Sequence, residues 1–190
     1  MATSRAHPTP RNEGMANIVS ATIRLLETRT PQDVTLRDVA HESGHGHRLI
    51  VEWFGGKGGL FAAVVNETFE KLSASGELFY ADLPLRRDVR IVFQVFNYMQ
   101  IHHPEFVRQA RTRLPLSTAE QRLTTNLGIP PERARIVIHR LSLQLLGIAL
   151  FREFFELSDD EVIRMMQDEF RTTTGFELAD NPNRIRDEDH

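Results

Sequence analysis

Apolar residues along this chain recur three and four positions apart, which is the period of amphipathic helices. The pattern predicts a first helix over 15–27, a short second helix over 35–43 and a third over 46–54. Thr35 and Asp38 match a capping-box variant, in which the threonine hydroxyl accepts a hydrogen bond from a free amide of the first turn. Gly44 ends the second helix because glycine adopts a left-handed conformation at little cost. Two short helices joined by a tight turn, after a supporting helix, form a helix-turn-helix.

The remainder of the chain is helical in pattern as well. A longer helix with one apolar stripe reaches residue 72, and the segment 73–84 indicates a domain boundary. Residues 131–156 are apolar over more than half of a helical circumference, so we expect this helix to be buried on two sides. Ser158 and Glu161 cap a last helix of about 158–174. The predicted fold class is all-α.

These patterns divide the chain into four parts. We expect a flexible basic arm over 1–14, which carries Arg5 and Arg11, and a three-helix helix-turn-helix head with its connecting helix over 15–72. A C-terminal helical domain follows over 73–175. Residues 176–190 form an acidic tail that we expect to be mobile.

Composition narrows the class of protein. The 190 residues carry a net charge of −3 and no cysteine, which excludes a disulfide scaffold, a thiolate metal site and a cysteine nucleophile. No uninterrupted apolar run approaches the roughly 18 residues of a membrane span, and residues 1–14 lack the apolar core of a signal peptide. We therefore expect a cytoplasmic protein without a membrane partner. A net negative charge also excludes a uniformly basic nucleic-acid binder, so any such binding needs a local patch.

Residues 16–66 resemble the DNA-binding domain of the TetR family of transcriptional regulators. The matching stretches are Ile18-x-x-Ala21-x-x-x-Leu25-Leu26, Val34-Thr35-Leu36-Arg37-Asp38-Val39-Ala40 with Ser43-Gly44, and Leu49-Ile50-x-x-Trp53-Phe54-Gly55-Gly56-Lys57-x-x-Leu60. The last stretch is the most specific of the three.

This resemblance implies a homodimer that binds a pseudo-palindromic operator in double-stranded DNA. The two heads would enter successive major grooves, about 34–36 Å apart. Helices of about 131–156 and 158–174 would form the dimer interface, and the C-terminal domain would bind a small, largely apolar effector that releases the repressor from its operator. The alternative is a dimeric ligand-binding or interaction module of the same fold, with weakened specific DNA recognition.

The resemblance assigns DNA contacts to Thr35, Arg37, Gly46, His47, Arg48, Leu49, Trp53 and Lys57. Thr35, Arg37 and Lys57 are expected to hold phosphates. Arg48, near the start of the recognition helix, suits a bidentate contact with guanine. Three departures motivate the alternative function: Gly46 replaces the usual hydroxyl cap, Val51 replaces a phosphate-binding tyrosine, and Glu52 adds a negative charge.

An effector pocket is predicted at Tyr98, Met99, His102, Phe106, Arg111 and Phe151. The apolar members fit an ordinary core equally well, because helical spacing alone does not separate a pocket from a core. Arg111 and Arg140 are open to two roles, pairing with an anionic effector or with a neighbouring acid. His102 and His103 also suit a helix C-terminus, where imidazoles interact favourably with the helix dipole.

Two patterns suggest enzymes but lack the required context. His41-Glu42-Ser43-Gly44-His45 matches the H-E-x-x-H pattern of zinc peptidases, which needs both histidines on one continuous helix. Here Ser43-Gly44 ends the helix, so we expect His41, His45 and His47 to be turn and groove residues, with an incidental metal site as the alternative. The glycines of 55–59 lack both the spacing of a phosphate-binding loop and a preceding strand. We expect no metal, no cofactor and no enzymatic activity.

Overall fold

A computed structural model of the chain describes residues 10–75, 79–110 and 116–178, with only the backbone at 73, 75 and 108–110. The described residues form an all-α fold, as the sequence predicts. Its helices are α1 (Arg11–Leu26), α2 (Leu36–Ser43), α3 (His47–Phe54), α4 (Lys57–Ser75), α5 (Arg87–His102), α6 (Pro104–Ala110), α7 (Leu116–Leu127), α8 (Pro131–Phe151) and α9 (Asp159–Thr174). A 3₁₀ turn at Leu83–Leu85 precedes α5.

The chain divides into two compact units, and the division falls inside two helices. Among the described residues, the first unit holds 10–65 and 95–107, and the second holds 66–94 and the residues from 108 onward. The sequence predicts a boundary in the segment 73–84, where Gly76 and Pro84 interrupt the apolar pattern. The contacts instead divide α4 after Val65 and α5 before Val95, because the end of α5 packs with the start of α4.

The head of the first unit is a helix-turn-helix, and α2 and α3 begin and end within one residue of the predicted bounds. Ile18 on α1, Val39 on α2 and Ile50 on α3 are completely buried, so each helix contributes to one core. The capping box at the start of α2 is formed, since Thr35 and Asp38 exchange side-chain and backbone hydrogen bonds. Gly44 ends α2 with φ of 70°, a left-handed value that favours glycine. These local signals were therefore sufficient to predict the motif.

Helix α1 begins earlier than the sequence pattern predicts. Its first residue is Arg11, so residues 11–14 of the predicted flexible arm are helical. Gly14 is buried in this added turn, against α3. The apolar periodicity missed the turn because its contact uses a glycine rather than a large apolar side chain. Arg5 and the rest of 1–9 lie outside the described residues.

The second unit has a core formed by α7, α8 and α9. Leu123 on α7, Val137 on α8 and Val162 on α9 are among its buried residues. A smaller cluster joins Leu72 of α4, Leu83 of the 3₁₀ turn and Val89 of α5. The capping box at Ser158 and Glu161 is formed at the start of α9, as predicted.

Helix α8 ends earlier than predicted, at Phe151 rather than near residue 156. The chain continues as a turn that closes like a Schellman motif: the Leu157 amide donates to the Arg152 carbonyl at 3.1 Å, and the Glu156 amide donates to the Glu153 carbonyl at 3.2 Å. Glu156 occupies the left-handed position of this motif, with φ of 52°. Because no glycine marks this position, the turn could not be predicted from the residue pattern.

Helix α8 carries two apolar faces, and the described residues of this chain bury one of the two sides that the sequence predicts to be buried. Its buried face includes Val137, Leu141 and Ile148, whereas Ile136 and Leu143 are 60% and 69% exposed. At 3.6 residues per turn, the exposed pair lies about 130° around the helix from the centre of these three buried residues. Within the described residues, α8 is also the one helix whose length and mean hydropathy of 1.5 would suit a membrane span, a test that helices of soluble cores pass as well.

Candidate nucleic-acid interface

The N-terminal half of α3 exposes the side chains that the sequence assigns to base contacts. His47 and Arg48 are exposed and Leu49 is 38% exposed, while Ile50 and Phe54 are buried and fix the helix to the head. Gly46 is the N-cap and provides no side-chain acceptor. The Leu49 amide donates to the Gly46 carbonyl at 2.9 Å, whereas the amides of His47 and Arg48 remain donors for an external acceptor.

Thr35, at the start of α2, is already engaged by its own helix. Its hydroxyl donates to Asp38 Oδ2 at 2.6 Å and accepts from the Asp38 amide at 3.2 Å. The hydrogen bonds from the hydroxyl and the backbone amide of Thr35 lower the pKa of Asp38 from its ordinary value of 3.8, with a smaller contribution from Arg29. A carboxylate thus occupies the amide end of α2, where the sequence predicts a phosphate.

The exposed cations of the head fall into two groups. Arg24 pairs with Glu42 at 2.8 Å and Arg29 pairs with Asp38 at 3.2 Å, so both are partly neutralised. Arg37 and Arg48 are exposed, and no acidic side chain of the described residues lies within 4.0 Å of either guanidinium. The uncompensated positive charge of α2 and α3 therefore lies on these two arginines.

Lys57, at the start of α4, lies between a backbone carbonyl and two aromatic rings. Its Nζ donates to the Gln32 carbonyl at 3.4 Å, in the loop that precedes α2. The same atom lies 4.7 Å from the ring centroid of Tyr98 and 5.2 Å from that of Phe61. These are cation–π distances, so the ammonium is held by α5 as well as by its own helix. No sequence signal links residues 57 and 98.

Trp53, the single tryptophan, packs inward from α3. A methyl group added at Gly14 would lie 2.8 Å from two carbons of its ring, and the imidazole of His45 lies 6.1 Å away between ring centroids. The Nδ1 atom of His45 contacts the Ser43 carbonyl at 2.9 Å, so that nitrogen is the donor. Trp53 and His45 therefore join α1 to the turn between α2 and α3.

The histidines of the H-E-x-x-H pattern do not share a helical face. Helix α2 ends at Ser43, which leaves His45 in the turn, and Glu42 is paired with Arg24. Within the part of the chain that the structure describes, no group of three histidine or acidic side chains is arranged to hold a metal ion.

The residues predicted for an effector pocket separate into two sets. Tyr98, Met99, His102 and Phe106 lie in the first unit, where the rings of Tyr98 and His102 are 4.5 Å apart and Met99 is fully buried. Phe151 lies in the second unit and is mostly exposed. Arg111 lies outside the described residues, and Arg140 pairs with Glu169 at 2.9 Å.

Two cavities that the sequence did not predict lie among the described residues of the second unit. One of about 270 Å³ is lined mainly by apolar side chains, including Phe79, Leu123 and Phe170. The other, of about 400 Å³, is lined by several charged side chains, including Arg90 and Arg152. Neither includes a residue of the predicted pocket.

Solved structures similar to this chain identify its type of fold. No protein-family model matches the sequence, and no curated protein matches it. A TetR transcriptional regulator from Rhodococcus sp. RHA1 has a similar structure, with a TM-score of 0.66 at 15% identity over 87% of this chain and 97% of that one. The multidrug binding protein EbrR, solved with imidazole, gives a TM-score of 0.59 at 15% identity, over 85% and 96% of the two chains.

A third similar structure is NalD, the secondary repressor of the MexAB-OprM multidrug efflux pump in Pseudomonas aeruginosa. Its TM-score is 0.51 at 17% identity, over 86% of this chain and 97% of that one. The chain therefore has a TetR-like fold, and the resemblance of residues 16–66 is confirmed at the level of the fold.

Proposed function

We propose that this protein is a homodimeric, DNA-binding transcriptional regulator of the cytoplasm, and a repressor that a small effector releases from its operator. The observation that carries the proposal is the exposed start of α3, where Arg48 has no acidic partner among the described residues and the N-cap leaves amides free. The TetR-like fold supports it. The descriptions of EbrR as a multidrug binding protein and of NalD as a repressor are consistent with the same type of regulator.

In this proposal, Arg37 and Arg48 have different roles on DNA. Arg37 holds a phosphate at the start of α2, while Arg48 reads a base edge in the major groove together with His47 and Leu49. Thr35 contributes mainly by capping α2, because its hydroxyl proton is used by Asp38. Lys57 adds positive charge at the start of α4 and must exchange its contact with the Gln32 carbonyl for a phosphate.

The proposed dimer uses the exposed apolar face of α8 with α9. Ile136 and Leu143 on α8 and Met165 on α9 are large apolar side chains with substantial exposure. Apolar area of this kind contributes about 25 cal/mol per Å² when it is removed from water. In a two-fold interface the same face of both subunits meets, so both copies of each residue are buried.

The proposed release mechanism is a population shift. An effector in contact with Tyr98 or His102 would favour a different position of the end of α5, and Tyr98 holds the ammonium of Lys57 by cation–π contact. The effector can shift the equilibrium only by its difference in affinity for the two conformations. In the effector-bound conformation, the heads would no longer match two successive major grooves.

The direct test is an electrophoretic mobility-shift titration with the DNA that flanks the gene, at low salt. We expect specific binding that Arg37→Gln weakens equally on all sequences, with a reduced dependence on salt. Arg48→Gln should instead reduce the preference for the specific site over random DNA. Arg87→Gln, an exposed arginine at the start of α5, is the matched control and should bind as the wild type does. Absence of a shift at micromolar protein would refute the proposal.

A second candidate function is a dimeric ligand-binding module of the same fold with weakened DNA recognition. Two observations favour it: Val51, 41% exposed, cannot contact a phosphate through a hydroxyl, and Glu52 exposes a negative charge on the same helix. Under this alternative, the titration would give equal affinities for specific and random DNA, and both would fall steeply with salt.

A further inference from the structure

The larger of the two cavities described above lies between the first half of α5 and the end of α8. It measures about 400 Å³, which is within the range of small-molecule sites. Arg90 and Gln94 line it from α5, Ile148 lines it from α8, and the turn after α8 contributes Arg152, Glu156 and Leu157. All six residues belong to the same unit.

Arg90 is the unusual member of this lining. Its Nε atom is buried and has no hydrogen-bond partner. No acidic side chain among the described residues lies within 4.0 Å of its guanidinium, and Asp88, the nearest acid along α5, is held by Arg86 at 2.8 and 3.1 Å. A buried donor without an acceptor carries its full desolvation cost, so such a group in a cavity requires an explanation.

The other charged groups around the cavity are held away from Arg90. Arg152 pairs with Asp159 and donates to the Leu157 carbonyl at 2.9 Å. Glu153 and Glu156 are exposed, and neither lies within ion-pair distance of Arg90. The Schellman turn fixes the backbone of Glu156 in its left-handed conformation, which keeps this wall in place.

We infer that this cavity binds a small organic carboxylate, whose oxygens accept hydrogen bonds from the Arg90 guanidinium. The planar guanidinium matches a carboxylate in charge and in the spacing of its donors. Gln94 supplies a further amide donor at the rim. Ile148 and Leu157 provide an apolar wall for a short hydrocarbon part of the ligand.

This site differs from the predicted effector residues Tyr98, Met99, His102 and Phe106, which lie in the first unit. The inference of binding does not depend on DNA. Only the further step, that the carboxylate acts as an effector, rests on the proposed regulatory function.

The test is a titration of the protein with sodium acetate, butyrate, hexanoate and benzoate. Isothermal calorimetry measures the affinity, and the NMR signals of the arginine Nε–H groups report where the ligand binds. We expect at least one carboxylate to bind and to shift the Arg90 signal, while benzyl alcohol, a neutral analogue of benzoate, leaves it unchanged. Arg90→Gln should weaken binding about tenfold or more. Arg90→Lys keeps the charge but lacks the planar fork, and should recover only part of the affinity.

Arg87→Gln is the matched control, one turn away on the same helix, and should bind as the wild type does. Absence of any shift of the Arg90 signal with all four carboxylates would overturn the inference and leave water as the partner of Nε. Carboxylate binding by Arg90→Gln as tight as that by the wild type would overturn it as well. A shift of the Arg90 signal by sodium chloride as large as that by the carboxylates would also overturn it, because it would indicate an unspecific anion effect. No DNA is present in these measurements, so their outcome is independent of the DNA titration.

Discussion

The proposed homodimer makes a quantitative prediction at Leu143. This side chain is 69% exposed on the outer face of α8. Complete burial of a leucine is worth about 1.5–3 kcal/mol, so covering the exposed share gains about 1–2 kcal/mol, and the two copies in a symmetric interface gain about 2–4 kcal/mol. At about 1.4 kcal/mol per tenfold, Leu143→Ser should raise the dimer dissociation constant by about 30- to 700-fold.

Sedimentation equilibrium across micromolar concentrations measures this constant directly. Ile101→Ser is the matched control, because Ile101 is 68% exposed but lies on α5, outside the outer face of α8. We expect this variant to dimerise as the wild type does. A Leu143→Ser protein that dimerises as tightly as the wild type would refute the assignment of this face, and an equal loss in both variants would indicate unspecific association instead.

Three further predictions concern the head and the helix ends. Gly14→Ala gains about 1 kcal/mol of helix propensity but places a methyl group 2.8 Å from the Trp53 ring, and overpacking costs about 1–3 kcal/mol. We expect lower stability in urea and altered tryptophan emission. The exposed control Ala16→Gly should lose about 1 kcal/mol of the free energy of unfolding with unchanged emission. A Gly14→Ala protein more stable than the wild type would contradict the contact between Gly14 and Trp53. Glu156→Gly relieves the left-handed strain and should raise the free energy of unfolding by about 0.5–1 kcal/mol, and a loss of stability would argue against the Schellman turn. Hydrogen bonds from Ser158 lower the pKa of Glu161 from its ordinary value of 4.5, so its contribution to stability is present above that pH and is lost as the pH falls below it. The free energy of unfolding, measured in urea, should therefore fall less steeply below pH 4.5 for Glu161→Gln than for the wild type. Identical pH profiles of the two proteins would contradict this assignment.

The head illustrates how much of the site the sequence predicts. The capping box of Thr35 and Asp38, the glycine stop at Gly44 and the exposure of Arg48 all follow from residues within a few positions of each other. Such features depend on local hydrogen bonds and on helical period, so a single sequence contains the necessary information. The Thr35 hydroxyl is the exception. Within the predicted capping box it donates its hydrogen bond to Asp38, so it does not donate to a phosphate.

The predicted effector residues illustrate the opposite case. Tyr98 and Phe151 both lie on apolar stripes, yet they belong to different units of the chain. Tyr98 contacts Lys57, which lies 41 positions earlier in the sequence. Arg90 Nε has no hydrogen-bond partner because no acceptor from another part of the described chain approaches it. Periodicity identifies an apolar face but does not identify the element that covers it.

The sequence by itself therefore determined the all-α class, the helix-turn-helix and the two apolar faces of α8, because capping and amphipathic period act within one or two helical turns. Only the tertiary structure decided that Gly14 receives Trp53, that Tyr98 holds Lys57, and that a cavity forms around Arg90. These features arise where side chains distant in the chain meet, and their geometry is set by packing rather than by any local preference.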